Sequence, residues 1–195
     1  MDDRLRKILA ERIPLTLPPD RTRRQAAVLL PLFKGAEGYH LLFTQRTDTV
    51  RHHKGQISFP GGSFDRRDRN LLQTALRESY EEVGIRPEDV TVLGRLDDAP
   101  TVATNFVISP FVGLIPYPYI FRPDPREVAS VFDTSLSLLA HPVVFRSYIR
   151  TREDDTRIED YEYHVNDHVI WGATARIIHH FLDVIKIDSE AARRA

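Results

Sequence analysis

At 195 residues, 42% of them hydrophobic, the chain can bury one core and falls in the size range of a single domain. A formal charge of −1 leaves no global field to hold nucleic acid or an anionic membrane, so any phosphate recognition must come from locally placed Arg and Lys. Cysteine is absent, which excludes a disulfide framework, thiol catalysis and Cys-ligated zinc, and is compatible with a reducing, cytoplasmic setting.

The opening MDDRLRKILAERI carries charge on both sides of a short apolar stripe and lacks the apolar run and small-residue cleavage site of a signal peptide. It reads as an amphipathic helix. Pro14, Pro18 and Pro19 then mark a joint between a helical N-terminal arm, 1–22, and one domain, 23–195. Apolar segments 26–33 and 39–45, separated by Gly35 and Gly38, predict a hairpin. Short strands are predicted at 56–59, 90–96, 106–115 and 143–151. The most apolar stretch, 106–121, is broken by Pro110, Pro116 and Pro118 and is shorter than the ~20 residues a membrane helix needs. Residues 152–160 read as an exposed hairpin loop, 161–165 as a strand, and 171–187 as a closing helix with an apolar period of 3.6. Strands and helices thus alternate irregularly, which predicts an α/β fold with helices on the faces of a mixed sheet.

The chemistry concentrates on a helix predicted over 70–83. Leu72, Ala75, Leu76, Ser79, Tyr80 and Val83 recur at helical spacing and predict one buried stripe, ended by a Gly84 cap. Glu78, Glu81 and Glu82 then share the opposite face. Neighbouring carboxylates at this spacing repel by ~0.2–0.5 kcal/mol per pair. Anions in the last turns also oppose the helix dipole, by roughly 0.3–1 kcal/mol each. A hard divalent cation turns these penalties into attractions. On an arbitrary helix, three Glu are most often a solvated face. Two neighbours weigh against that here: the Gly61–Gly62 pair, which allows close backbone approach, and Arg77, placed to orient Glu81 four residues on.

Together these residues resemble the Nudix box, G-x5-E-x7-R-E-U-x-E-E-x-G-U, where U is a bulky apolar residue. Gly62 stands at its first Gly and Asp68 at its first Glu, while Arg77, Glu78, Glu81, Glu82, Gly84 and Ile85 match directly. Ser79 replaces the first U, and the step from Asp68 to Arg77 is one residue longer. The resemblance implies a Nudix-type α/β/α sandwich and Mg²⁺ or Mn²⁺ held mainly by Glu78 and Glu82, with Glu81 as ligand or base and Arg77 as an orienting residue.

Upstream, LFTQRTDTVRHHKGQISFPGG resembles the signature of coenzyme A diphosphatases, L-L-T-x-R-[SA]-x3-R-x3-G-x3-F-P-G-G. Leu42, Thr44, Arg46, Arg51, Gly55, Phe59, Pro60, Gly61 and Gly62 match; Phe43 and Thr47 depart. The Asp at 68, the longer box and the segment IWGATARI at 170–177 are also familiar in that subgroup, so the likeness runs from about residue 26 to 182. It implies hydrolysis of coenzyme A or its derivatives to 3′,5′-ADP and 4′-phosphopantetheine, with Arg46, Arg51, Gly55, Phe59, Gly61 and Gly62 binding the substrate. Two arginines beside a metal site suit a substrate with an extra phosphate, which a guanidinium grips with two parallel hydrogen bonds, and coenzyme A has such a 3′-phosphate. Ordinary surface ion pairs are the plainer role for Arg46 and Arg51. His52 and His53 read as polar surface residues with no metal role.

The base is Glu81 or a carboxylate from a later loop, of which Glu127 in PREVASVF is best placed by order, although it equally suits a solvent-facing strand position. The alternatives are a Nudix hydrolase of ADP-ribose or another nucleoside diphosphate derivative, and a non-catalytic nucleotide sensor. The retained Glu78, Glu81 and Glu82 argue against the sensor. The expected partner is a small nucleotide, with no nucleic acid or membrane; a homodimer is left open.

Overall fold

The structure, a computed structural model, describes residues 2–18, 22–36, 38–47, 55–101, 104–151 and 155–191. Among them the chain forms α1 (Asp2–Glu11), β1 (Arg24–Gly35), β2 (Gly38–Arg46), β3 (Ile57–Ser58), β4 (Gly61–Ser63), α2 (Leu71–Val83), β5 (Thr91–Arg95) and β6 (Ala99–Pro100). It continues with β7 (Phe106–Leu114), β8 (Val128–Ser135), α3 (Leu136–Leu139), β9 (Phe145–Thr151), β10 (Arg157–Val165), β11 (His168–Trp171) and α4 (Gly172–Ala191). No helix among the described residues is long and apolar enough to cross a membrane.

β1 is the spine of the larger, mixed sheet. It runs parallel to the whole of β7, from Arg24 opposite Phe106 to Leu32 opposite Leu114. Its other edge is divided. The first half pairs with β4, and the second half forms the predicted hairpin with β2. A strand with layers on both sides must be apolar throughout, which is why the segment reads as a continuous run rather than an alternation. Ala27, Leu29 and Phe33 join Ala75 and Val83 of α2 in one core. Leu30 and Leu32 belong to the opposite core with Ile178 and Phe181 of α4. The mixed sheet between helical layers is therefore the α/β arrangement expected.

Leu5 and Leu9 of α1 enter that second core. The helix can lie this close to β5 because Gly94 has no side chain: a Cβ there would overlap the Leu9 carbonyl. β9, β10 and β11 form a separate three-stranded antiparallel sheet, and α4 packs against it.

Several boundaries differ from expectation. β10 begins at Arg157, four residues before the predicted strand, because Asp160 is buried by ion pairs with Arg150 and Arg176 and so escapes a reading by hydropathy. β4, β6, β8 and β11 carry no strand signal of their own. β4 is Gly-Gly-Ser and takes its extended form from pairing with β1, and β8 intersperses Ser130, Asp133 and Ser135 among its apolar residues.

α2 is also turned relative to the predicted stripe. Tyr80 is 54% exposed and Leu72 and Leu76 are only half-buried, while Glu82, expected on the outer face, is 4% exposed. The inward face is set by the hydrogen bond that the Gly61 amide donates to Glu82, 3.1 Å long, which draws that carboxylate against the sheet. Ser79 is buried as expected, and satisfies its hydroxyl by donating to the Ala75 carbonyl at 2.6 Å. The ends are well defined: Asn70 accepts from the Gln73 amide, and Gly84, at φ 74°, closes the helix through its N–H.

Candidate active site

A cleft of about 750 Å³ lies between the two sheets. One end is walled by β4, α2, Arg46 and Glu127, the other by Arg150 and the junction of β11 with α4. Its size suits a nucleotide-sized ligand.

The first end is organised by the glycine pair. A Cβ at Gly61 would strike the β1 backbone, and one at Gly62 would fall 2.5 Å from the Glu78 carboxylate carbon. Two side chains are missing here so that β4 can press against β1 and Glu78 can press against β4. Glu78 and Glu82, one turn apart, then look into the same cleft. Burial raises the pKa of both. For Glu82 it does so to about 7, with the Gly61 N–H and Arg46 opposing and the charges of Glu78 and Glu127 adding. For Glu78 the opposing group is Arg77. Both carboxylates thus hold protons more tightly than in water, because burial strips water from their charged forms.

Arg77 is the hub beneath them. Its Nε and Nη2 donate to the two oxygens of Asp68, each at 2.9 Å, and Nη1 donates to Glu78 at 2.8 Å and to Glu81 at 3.1 Å. The pair with Asp68 raises the Arg77 pKa and holds the Asp68 carboxyl down at about 2, helped by a Thr74 hydroxyl at 2.8 Å. Asp68, at the box position of a glutamate, is therefore the main partner of Arg77, in addition to the Glu81 partner expected from i,i+4 spacing.

Across the cleft Arg46 meets Glu82 at 3.4 Å and Glu127 at 3.7 Å. Glu127 is half exposed, and its charge is felt by both Glu78 and Glu82. Phe59 lines the wall while packing on Phe43, ring centroids 4.9 Å apart. Three expected residues stand outside the wall: Arg77 beneath it, and Glu81 and Gly55. Glu81 is 57% exposed and reaches the others only through Arg77, and Gly55 serves a turn at φ 65°. Arg51, His52 and His53 lie outside the described residues.

Among the described residues no three Asp, Glu or His side chains converge into a metal cage. Glu78 and Glu82 are nevertheless a fitting pair for a hard cation, being desolvated oxygen donors cradled by a glycine. Mg²⁺ characteristically takes one or two carboxylates and completes its shell with water and substrate phosphate.

The far wall has no spacing motif of its own, although Trp171 and Arg176 fall in the segment 170–177 noted by resemblance. Arg150, Arg176 and Asp160 come from β9, α4 and β10, and no spacing links them.

Comparison with known proteins agrees with the geometry. The family model described as NUDIX domain matches residues 22–164. A protein of Photorhabdus laumondii described as an uncharacterized Nudix hydrolase NudL is 38% identical over 186 residues, covering 90% of this chain and 95% of the relative. A NudL of Citrobacter koseri, described in the same words, is 42% identical over 164 residues, 80% of each chain. Among solved structures, a MutT/nudix family protein from Enterococcus faecalis superposes with a TM-score of 0.60 at 17% identity, over 87% of this chain and 65% of that one, a likeness of fold.

Proposed function

Because the chain belongs to the Nudix family and is a hydrolase of that family, we propose that its cleft cleaves the diphosphate bond of coenzyme A or a derivative, giving 3′,5′-ADP and 4′-phosphopantetheine. The observation that carries the reading is the desolvated pair Glu78 and Glu82 at one end of a nucleotide-sized cleft, with Glu127 and Arg46 facing them. The choice of substrate is supported by Arg46, Phe59, Gly61 and Gly62, which carry the diphosphatase-like signature and line this same end.

Hydrolases of this family generally use a divalent cation; here Glu78 and Glu82 would hold Mg²⁺ or Mn²⁺, which supplies charge neutralisation at the diphosphate and a more acidic water. The protein's own groups do the rest. The Gly61 amide and Arg46 fix Glu82, and Asp68 fixes Arg77, which fixes Glu78. Arg46 stands where it can also meet diphosphate oxygens as negative charge develops. Glu127, half exposed and facing both ligands, takes the proton of the attacking water. The water oxygen bonds to phosphorus as the bridging P–O bond breaks, and no covalent enzyme intermediate is required. Glu81 acts through Arg77, by holding its guanidinium from the solvent side.

The test is turnover of coenzyme A, dephospho-coenzyme A and ADP-ribose by the purified protein with Mg²⁺ or Mn²⁺, with products identified by mass. The expected result is a larger kcat/KM on coenzyme A and release of 3′,5′-ADP. Faster turnover of ADP-ribose would overturn the choice of substrate, and turnover of no diphosphate would overturn the reaction.

A further inference from the structure

The far end of the cleft is built around one buried acid. Asp160 on β10 is 2% exposed, and its two carboxylate oxygens are taken separately, Oδ2 by Arg150 of β9 at 2.6 Å and Oδ1 by Arg176 of α4 at 2.9 Å. Arg176 donates in addition to the Pro100 carbonyl at 3.2 Å. Both guanidiniums line the cleft, and Trp171, 49% exposed, stands beside them.

One guanidinium is enough to compensate a buried carboxylate. A second gives the trio of side chains a net positive charge, on residues that line a cleft. Each element that meets here gives up freedom to hold that charge still, since the tie fastens β9 and α4 to β10 through a single residue. Arg150 meets Asp160 through Nη2, so the acid does not tie up the other terminal nitrogen of this guanidinium, which stays available as a donor. A fixed planar donor set with excess positive charge is what a phosphate dianion needs for paired, charge-assisted hydrogen bonds.

We infer that Arg150 and Arg176 bind a second phosphate of the substrate, a monoester remote from the scissile diphosphate, with the nucleobase lying against Trp171. This deepens the diphosphatase reading and rests on it. It also moves recognition of the extra phosphate away from Arg46, whose guanidinium is engaged with Glu82 and Glu127 at the other end. The cleft then reads in order from reacting bond to distal phosphate: carboxylates and Arg46 first, the apolar floor of Ile57 and Phe106 between, the arginine pair last.

The test uses binding, so that it does not depend on catalysis. Adenosine 3′,5′-bisphosphate and adenosine 5′-monophosphate are titrated calorimetrically into the full chain, wild type and variants. Wild type is expected to bind the bisphosphate roughly tenfold or more tightly than the monophosphate, as a charge-assisted pair implies. Arg150→Gln should erase most of that preference while Arg176 remains on Asp160, and Trp171→Ala should weaken both probes alike. Should Arg150→Gln fail to fold, Arg150→Lys keeps a charge on Asp160 but loses the fork, and its preference should fall at least about threefold. Equal affinity of wild type for the two probes, or an undiminished preference in the folded Arg150 variant, would overturn the inference. Preference for the bisphosphate in a protein that hydrolyses no diphosphate would leave this subsite standing and remove the diphosphatase reading instead.

Discussion

The Gly61 amide donates to the Glu82 carboxylate across 3.1 Å, and this bond joins β4 to the face of α2 that looks into the cleft. It is too little to offset the loss of water around a carboxylate that is 4% exposed, so the pKa of Glu82 is lifted from 4.5 to about 7. Between those values the folded protein holds a proton that the unfolded chain has released. Stability of the metal-free protein should therefore fall as pH rises from about 4.5 to 7 and level off above, by on the order of 3 kcal/mol. Thermal midpoints in chelator across this range should show the slope, and Glu82→Gln should reduce it, leaving the part that Glu78 contributes. A slope unchanged in Glu82→Gln would assign the proton to another group.

The same substitution should remove activity. Glu82→Gln is expected to lower kcat at least a hundredfold with Mg²⁺ present, while Glu81→Gln, altered at an exposed residue outside the cleft wall, should lose less than about tenfold. Comparable losses in the two would return Glu81 to the reacting centre.

Added Mg²⁺ or Mn²⁺ should raise the thermal midpoint, as any ligand of the native state alone must. The rise should shrink in Glu78→Gln. Equal shifts in both proteins would locate the cation away from this pair.

Two glycines separate site geometry from folding. A Cβ at Gly62 meets the carboxylate end of Glu78, a flexible tip that can swing aside. Gly62→Ala should accordingly fold, with its midpoint nearly that of wild type, yet lose at least tenfold in kcat. A Cβ at Gly94 meets the Leu9 backbone, which cannot move without undocking α1. Gly94→Ala should cost about 1–3 kcal/mol, as overpacking does, with activity per folded molecule retained. Circular dichroism melts beside steady-state kinetics check both, and a stable, fully active Gly62→Ala would detach Glu78 from the mechanism.

What the sequence discloses follows from how local each signal is. The Gly84 cap of α2, the spacing of Glu78 and Glu82, and the apolar run of β1 are each written within a dozen residues, and the amino-acid order alone makes them legible. The rotation of α2 is not local in this sense. Hydropathy ranks Tyr80 as a core residue and Glu82 as a surface one, and only the approach of β4, itself a Gly-Gly-Ser strand with no propensity of its own, reverses that order. The main partner of Arg77 is hidden in the same way, because Asp68 lies nine residues back on a loop rather than one helical turn ahead. Asp160 is the extreme case: its place in the core depends on two arginines from other elements.

The two ends of the cleft also have separate addresses in the chain. The far wall is built from residues 150–176, all downstream of α2 and Glu127: Arg150 and Asp160 fall near the end of the range the family model matches, and Trp171 and Arg176 beyond its last residue, 164. On the phosphate subsite proposed above, substitutions there would change the shape and charge of the far wall without altering a single carboxylate of α2. A lineage, or an engineer, could therefore rewrite the stretch from Arg150 to Arg176 and leave the carboxylates of α2 as inherited.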